Sequence, residues 1–146
     1  MEKRINVGEL EPLAYKALMG LETYLAATTL SKTHKELIKI RASQINGCAF
    51  CINMHTADAR KHGETEQRIY LLNAWKEVAN LYTEEERAIL ALTEEMTLIA
   101  NGGVSDVTYQ KAAGIFDEHQ LAQIMIAIIA INAWNRMAIA TQLQPA

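Results

Sequence analysis

An all-α fold is predicted by three features of this 146-residue chain. Its only prolines are Pro12 and Pro145, so no proline interrupts a helix between them. Apolar residues recur at three- and four-residue intervals along most of the length. No segment shows the apolar–polar alternation of a half-buried strand. The expectation is a bundle of about seven helices with short links, residues 1–146 making a single domain.

The first helix is expected over Leu10 to Leu25, with Ala14, Ala17, Leu18, Leu21 and Leu25 on one stripe. Pro12 falls in its first turn, where the missing N–H does no harm. Ser31 to Thr33 breaks the pattern, and a second helix follows from about Glu36 to Gln44, carrying Leu37, Ile38 and Ile40. Asn46-Gly47 is a turn signal. The third helix opens at Cys48 and closes near His62-Gly63, where Gly63 suits the left-handed position after a helix. A fourth covers roughly Glu66 to Trp75. Thr83-Glu84-Glu85-Glu86 reads as a capping box for a fifth, running through Leu90 and Met96 to Ile99. Asn101-Gly102-Gly103 stops it. A sixth starts at Ser105-Asp106 and ends near Gly114. Asp117 to Gln120 caps the last and longest, which reaches about Ala140. That helix is apolar nearly all round, so it belongs in the centre of the bundle or in a subunit interface. Together with Trp75 and Trp134, read as exposed, it points to a homo-oligomer.

Composition narrows the function. Half the residues are hydrophobic, 21% are charged and the net charge is −3. No Lys/Arg stripe is present, which argues against a nucleic-acid partner. Met1-Glu2-Lys3-Arg4 leads into no apolar run, so no leader peptide is expected. The longest apolar stretch, Leu121 to Ile131, is short for a bilayer and contains Gln123, so no membrane partner is expected either. Two cysteines in such a chain fit a reducing compartment, the cytoplasm by default.

The chemistry concentrates in Gly47-Cys48-Ala49-Phe50-Cys51-Ile52-Asn53-Met54-His55. Both cysteines of the chain lie here. On a helix Cys48 and Cys51 are an i,i+3 pair, Cys51 and His55 an i,i+4 pair, and all three share one face. The helix N-terminus favours thiolate, and the imidazole can take a proton. Three readings compete. A redox dithiol would have one thiolate attack a peroxide or disulfide and the other close an internal disulfide. A metal site would need a fourth ligand, for which His34, His62 and His119 have no cluster spacing. Buried cysteines could also be plain packing, but two in one motif with a histidine speak for reactivity. Helix dipole favours Cys48 as the nucleophile and i,i+4 spacing favours Cys51, so the residues alone leave the choice open.

Glu36 is the other candidate. It lies about 16 Å before the turn and His55 about 12 Å after it, at the helical rise per residue. Packed as an antiparallel pair, the two helices would bring the residues level, and the carboxylate could orient the imidazole. The competing role is structural, because Thr33-x-x-Glu36 is itself a capping box. Arg41, Asp58 and Arg60 are expected to form ion pairs, and Phe50 to lie over the sulfurs or in the core.

The stretch from Leu37 to Arg60, with Leu72-Asn73-Ala74-Trp75, Thr83 to Thr97 and Ile131 to Arg136, resembles the AhpD-like alkylhydroperoxidases of the carboxymuconolactone decarboxylase superfamily. The resemblance covers most of the chain. It implies an AhpD-like helical fold, a homo-oligomer (trimer or hexamer), no cofactor, a hydroperoxide substrate and an external dithiol reductant. It also implies roles: Cys51 attacks the peroxide, Cys48 resolves it, and His55 with Glu36 relays the proton. One position departs from the best-known pattern, which has a histidine immediately before the second cysteine where this chain has Phe50. The superfamily's decarboxylases lack the cysteine pair, so its presence argues against decarboxylation. The alternatives are a redox-sensing or metal-binding helical protein without fast turnover, or a non-redox decarboxylase-like enzyme.

Overall fold

Helix caps set the architecture of the protein, analysed as a computed structural model that describes residues 3–146. Met1 and Glu2, on which part of the leader expectation rests, lie outside the described residues. The helices are α1 (Val7–Leu10), α2 (Pro12–Ala27), α3 (Lys32–Asn46), α4 (Ala49–Lys61), α5 (Glu66–Tyr70), a 3-10 helix (Leu72–Glu77), α6 (Glu84–Thr97), α7 (Asp106–Ile115) and α8 (Glu118–Ala140). No strand occurs among the described residues. The all-α expectation holds, with nine helical segments among the described residues in place of about seven.

The two extra segments have local causes. Asn6 caps a single turn, accepting from the N–H groups of Gly8 and Glu9, before Pro12 opens α2 as its first residue. The predicted fourth helix breaks at Leu71 into α5 and the 3-10 helix. Residues three apart eclipse in a 3-10 turn, and Leu72 and Trp75 both enter the core there.

Cap chemistry accounts for the other ends. Thr83 and Glu86 form the predicted capping box of α6, and Asp117 and Gln120 form one at α8. The Thr33–Glu36 box does not form. Ser31 caps α3 through the His34 N–H, so the helix starts at Lys32 and the Glu36 side chain is available elsewhere. Helix α6 ends at Thr97, two residues before Ile99, which is exposed.

Packing centres on α3 and α8. Leu25, Ile38, Ile89, Leu92, Ile124, Ile128 and Ile131 form the main core from α2, α3, α6 and α8. A second cluster joins Leu37, Ile40, Leu72, Trp75, Tyr82 and Leu90. The stripe predicted for the first helix is buried only toward its end: Ala14 and Ala17 are exposed, Leu18 and Leu21 intermediate, Leu25 buried. The two tryptophans correct the sequence reading. Trp75 is buried with its indole N–H on Glu94 (2.8 Å), and Trp134 is half-buried against Tyr15 with its N–H on Glu22 (3.1 Å). The most exposed large apolar side chains among the described residues are instead Leu13, Val107 and Tyr70.

Helix α8, at 23 residues, is by length and composition long enough to cross a membrane, beyond the shorter stretch singled out in the sequence. Helices α2, α3, α4, α6 and α7 all pack on it and it carries buried Asn135, which accounts for its inner face, while Ile129 and Ile139 stay exposed.

Candidate active site

The turn between α3 and α4 presents the cysteines. Gly47 stands at φ 71°, and its N–H reaches Gln44 O (3.3 Å) while the Cys48 N–H reaches Ser43 O (3.0 Å). This double closure satisfies the last carbonyls of α3 and needs a left-handed residue, which glycine supplies without strain. Cys48 then occupies the N-cap of α4, its Sγ accepting the Cys51 N–H at 3.3 Å. Cys48 and Cys51 are joined as a disulfide with Cα atoms 5.3 Å apart. Both are buried, and Ala138 and Phe50 pack over them.

One turn further along α4, His55 meets α3. Its Nδ1 lies 3.0 Å from Glu36 Oε2, in a setting where both side chains are nearly covered. A carboxylate only accepts, so Nδ1 carries the proton and Nε2 is left as the acceptor nitrogen. The helical-rise estimate from the sequence thus brings the right pair together.

Behind the turn lies a buried polar chain. Asn46 donates to Asn132 Oδ1 (3.0 Å) and Asn135 Oδ1 (2.9 Å), and Asn135 donates to Ser43 Oγ (2.9 Å). Asn132 donates in turn to Thr97 Oγ1 (3.0 Å). The chain ties the residue just before Gly47 to α8 and α6. Replacing Asn135 by Ala leaves Asn46 and Ser43 short of partners in a dry site, so a loss of about 2 kcal/mol is expected. Urea denaturation checks this, and a loss below about 0.5 kcal/mol would show that the chain does not clamp the turn.

Cys51 and His55 line one cavity of about 1050 Å³, the size of a site for a drug-sized molecule. Its walls are mainly apolar, with Phe50, Met54, Met137 and Trp134 nearest in kind to a hydrophobic ligand. The segment from Lys3 to Glu9 and the C-terminal stretch from Thr141 to Gln144 close its rim, pinned by Arg4 Nη1 on Ala140 O (2.7 Å). Cys48 is absent from this lining, so only Cys51 of the pair meets the cavity.

Of the polar sequence candidates, Asp58 lines the cavity whereas Arg41 and Arg60 do not. Arg41 pairs with Glu94 (3.0 Å), Arg60 with Glu66 (3.6 Å) and Asp58 with Lys61 (3.4 Å). Glu94 is held below the ordinary carboxylate range: burial acts to raise it, but Lys76, Trp75 and Arg41 outweigh that. His62 and His119 are exposed at helix ends. His34 is half-buried, and burial lowers its pKa. Among the described residues, no three His, Cys, Asp or Glu side chains converge to hold a metal. Sequence reasoning missed Glu22, Lys39 and Trp134, all on the cavity wall. Asparagines inside the apolar last helix were a legible signal of a buried network, but Glu22 carried none.

Fold and site together define an all-helical, AhpD-like protein bearing a Cys-x-x-Cys pair. The chain belongs to the carboxymuconolactone decarboxylase family, whose model matches residues 12–95. It is 48% identical over 140 residues to the uncharacterized protein YdfG of Bacillus subtilis (strain 168), covering 96% of this chain and 95% of that one. A crystal structure of a protein of unknown function from Agrobacterium tumefaciens superposes with TM-score 0.94 at 41% identity, over 99% of both chains. The alkyl hydroperoxide reductase AhpD of Hyphomonas neptunium (strain ATCC 15444) is 42% identical over 40 residues, 27% of this chain and 22% of that protein.

Proposed function

We propose that the protein is a cofactor-free thiol peroxidase of the alkylhydroperoxidase type. The observation that carries this reading is the placement of the Cys48–Cys51 disulfide beside the His55–Glu36 pair, with Cys51 and His55 on one apolar cavity. In the reduced protein His55 takes the Cys51 proton through Nε2, while Glu36 stabilises the imidazolium that forms. The thiolate attacks the nearer peroxide oxygen, the O–O bond breaks, and the leaving alkoxide takes the proton from His55. Cys51 is then a sulfenic acid. Cys48 attacks its sulfur, the disulfide forms and water leaves. An external dithiol reduces the disulfide by two exchanges and is itself oxidised to a disulfide.

Phe50 stands where the related pattern has histidine, so His55 and Glu36 supply the relay alone. The apolar wall favours an organic hydroperoxide over hydrogen peroxide. Assembly as a trimer or hexamer is what the resemblance to the AhpD-like proteins implies, and the dithiol chemistry suits the cytoplasm.

Stopped-flow mixing of reduced protein with hydrogen peroxide and with an organic hydroperoxide tests the reading. Mass spectrometry would follow the cysteine pair. Fast disulfide closure is expected, slowed about a hundredfold in His55→Ala. Oxidation at the rate of an ordinary thiol would defeat the reading. Disulfide formation without turnover, given a dithiol donor, would instead mark a redox sensor.

A further inference from the structure

A row of partly buried charges continues beyond the relay. The Trp134 indole N–H donates to Glu22 Oε1 (3.1 Å). Lys39 Nζ lies 3.4 Å from Glu22 Oε2 and 4.0 Å from Glu36 Oε1. Glu36 Oε2 then meets His55 Nδ1. Side-chain exposure along Glu22, Lys39, Glu36 and His55 is 26, 12, 13 and 10%. Helices α2, α3, α4 and α8 each contribute to the row.

Charges in such a wall are costly to desolvate, and apolar residues of similar volume would serve packing as well or better. Nor do they make an anion site. With neutral His55, two carboxylates and one ammonium sum to −1, so an incoming anion would meet net repulsion. The Lys39 ammonium lies within 4.0 Å of both carboxylates and offsets the charge each presents to the other. Like charges brought together disfavour joint ionisation, and one of the pair then holds a proton. A protonated Glu36 would donate to His55 Nδ1, move the ring proton to Nε2 and remove the acceptor that Cys51 needs.

We propose that Lys39, held in place by Glu22 and Trp134, is a positioning residue that keeps Glu36 an acceptor for His55 and so sets the reactivity of Cys51. This rests on the roles given above to Cys51, His55 and Glu36. Other charged groups nearby are Lys35, whose Nζ is bound to Leu25 O (2.9 Å) and whose charge is felt by both Glu36 and Glu22, and Lys3, Arg4, Glu9 and Asp58 on the same cavity. Among the described residues, only Lys39 has an ammonium within 4.0 Å of both carboxylates.

The test is the alkylation rate of Cys51 by iodoacetamide in the reduced full-length protein, resolved from Cys48 by peptide mass spectrometry across the range of thiol ionisation. In Lys39→Met the acid limb of the profile should move up by about one pH unit or more. Lys39→Arg keeps the charge and should leave it within a few tenths of the wild type. Glu22→Gln added to Lys39→Met removes the second carboxylate and should bring the limb back most of the way. A merely structural lysine would not be rescued by that second change.

Three results would each overturn the proposal: a wild-type profile in Lys39→Met, an equal shift in Lys39→Arg, or no recovery in the double variant. Glu22→Gln alone, which retains Lys39, should leave the limb in place or lower it, and a rise would also count against the proposal. Alkylation needs no peroxide. A protein inert to hydroperoxides would therefore defeat the peroxidase reading while this profile still decided the role of Lys39.

Discussion

Cys51→Ser is expected to abolish hydroperoxide turnover, whereas Cys48→Ser should react once and stop. The asymmetry follows from position. Cys51 lies in the first turn of α4, one turn from His55, and lines the cavity with it. Cys48 caps the helix behind Cys51 and does not meet the cavity. A serine hydroxyl in place of Cys51 cannot be oxidised by a peroxide, so no rate above background should remain. With Cys48 lost, the first step is intact but the sulfenic acid has no internal thiol to condense with. It should persist long enough to be trapped by a dione reagent and seen by mass spectrometry. The hydroperoxide consumed should equal one molecule per chain. Full activity in both variants would sink the mechanism, and the reverse pattern would make Cys48 the attacking thiol.

The largest effect on stability is expected at Arg68, well away from the cysteines. Its guanidinium binds Glu64 Oε1 (2.7 Å) and Glu86 Oε1 (2.6 Å) and also donates to Leu81 O. The three charged side chains are only 16, 9 and 7% exposed. Burial works against the charged guanidinium, but the bonds to Glu86 and Glu64 outweigh it and raise its pKa further. Glu86 also closes the capping box of α6, accepting the Thr83 N–H at 2.8 Å. Arg68→Ala would leave two buried carboxylates without a cation, and such losses run to about 3–5 kcal/mol. For a chain of this length that is a fall of roughly 10 °C in Tm. Calorimetry at neutral and acid pH checks it. The loss should shrink in acid, where the carboxylates take up protons and no longer repel. A change under about 1 kcal/mol at neutral pH would show that water already screens the cluster.

Much of the site could be read from the chain because it is local. Cys48, Cys51 and His55 share a face by helical periodicity alone, and Gly47 with Ser43 and Gln44 makes the turn from adjacent residues. The Glu36–His55 contact was also within reach, since two helices leaving one tight turn put residues at equal distances from it side by side. Caps were legible for the same reason at Thr83 and Asp117. At Thr33 the pattern misled, because Ser31 is an equally good cap two residues earlier and Glu36 finds a stronger partner in His55. The tryptophans misled as well. A large aromatic with a polar N–H suits either a wet surface or a buried acceptor, and only packing brought Glu94 and Glu22 to them.

The sequence by itself determined the all-helical class, most of the helix caps and the shared face of Cys48, Cys51 and His55, because each depends on residues within one or two turns of one another. Only the tertiary structure decided which sulfur meets the cavity, how α2 and α8 close its wall, and that Lys39 pairs with both Glu22 and Glu36. Those contacts join groups as far as 112 residues apart, as Trp134 is from Glu22. Their geometry is set by how whole helices pack, and no local periodicity encodes the distance between two side chains on different helices.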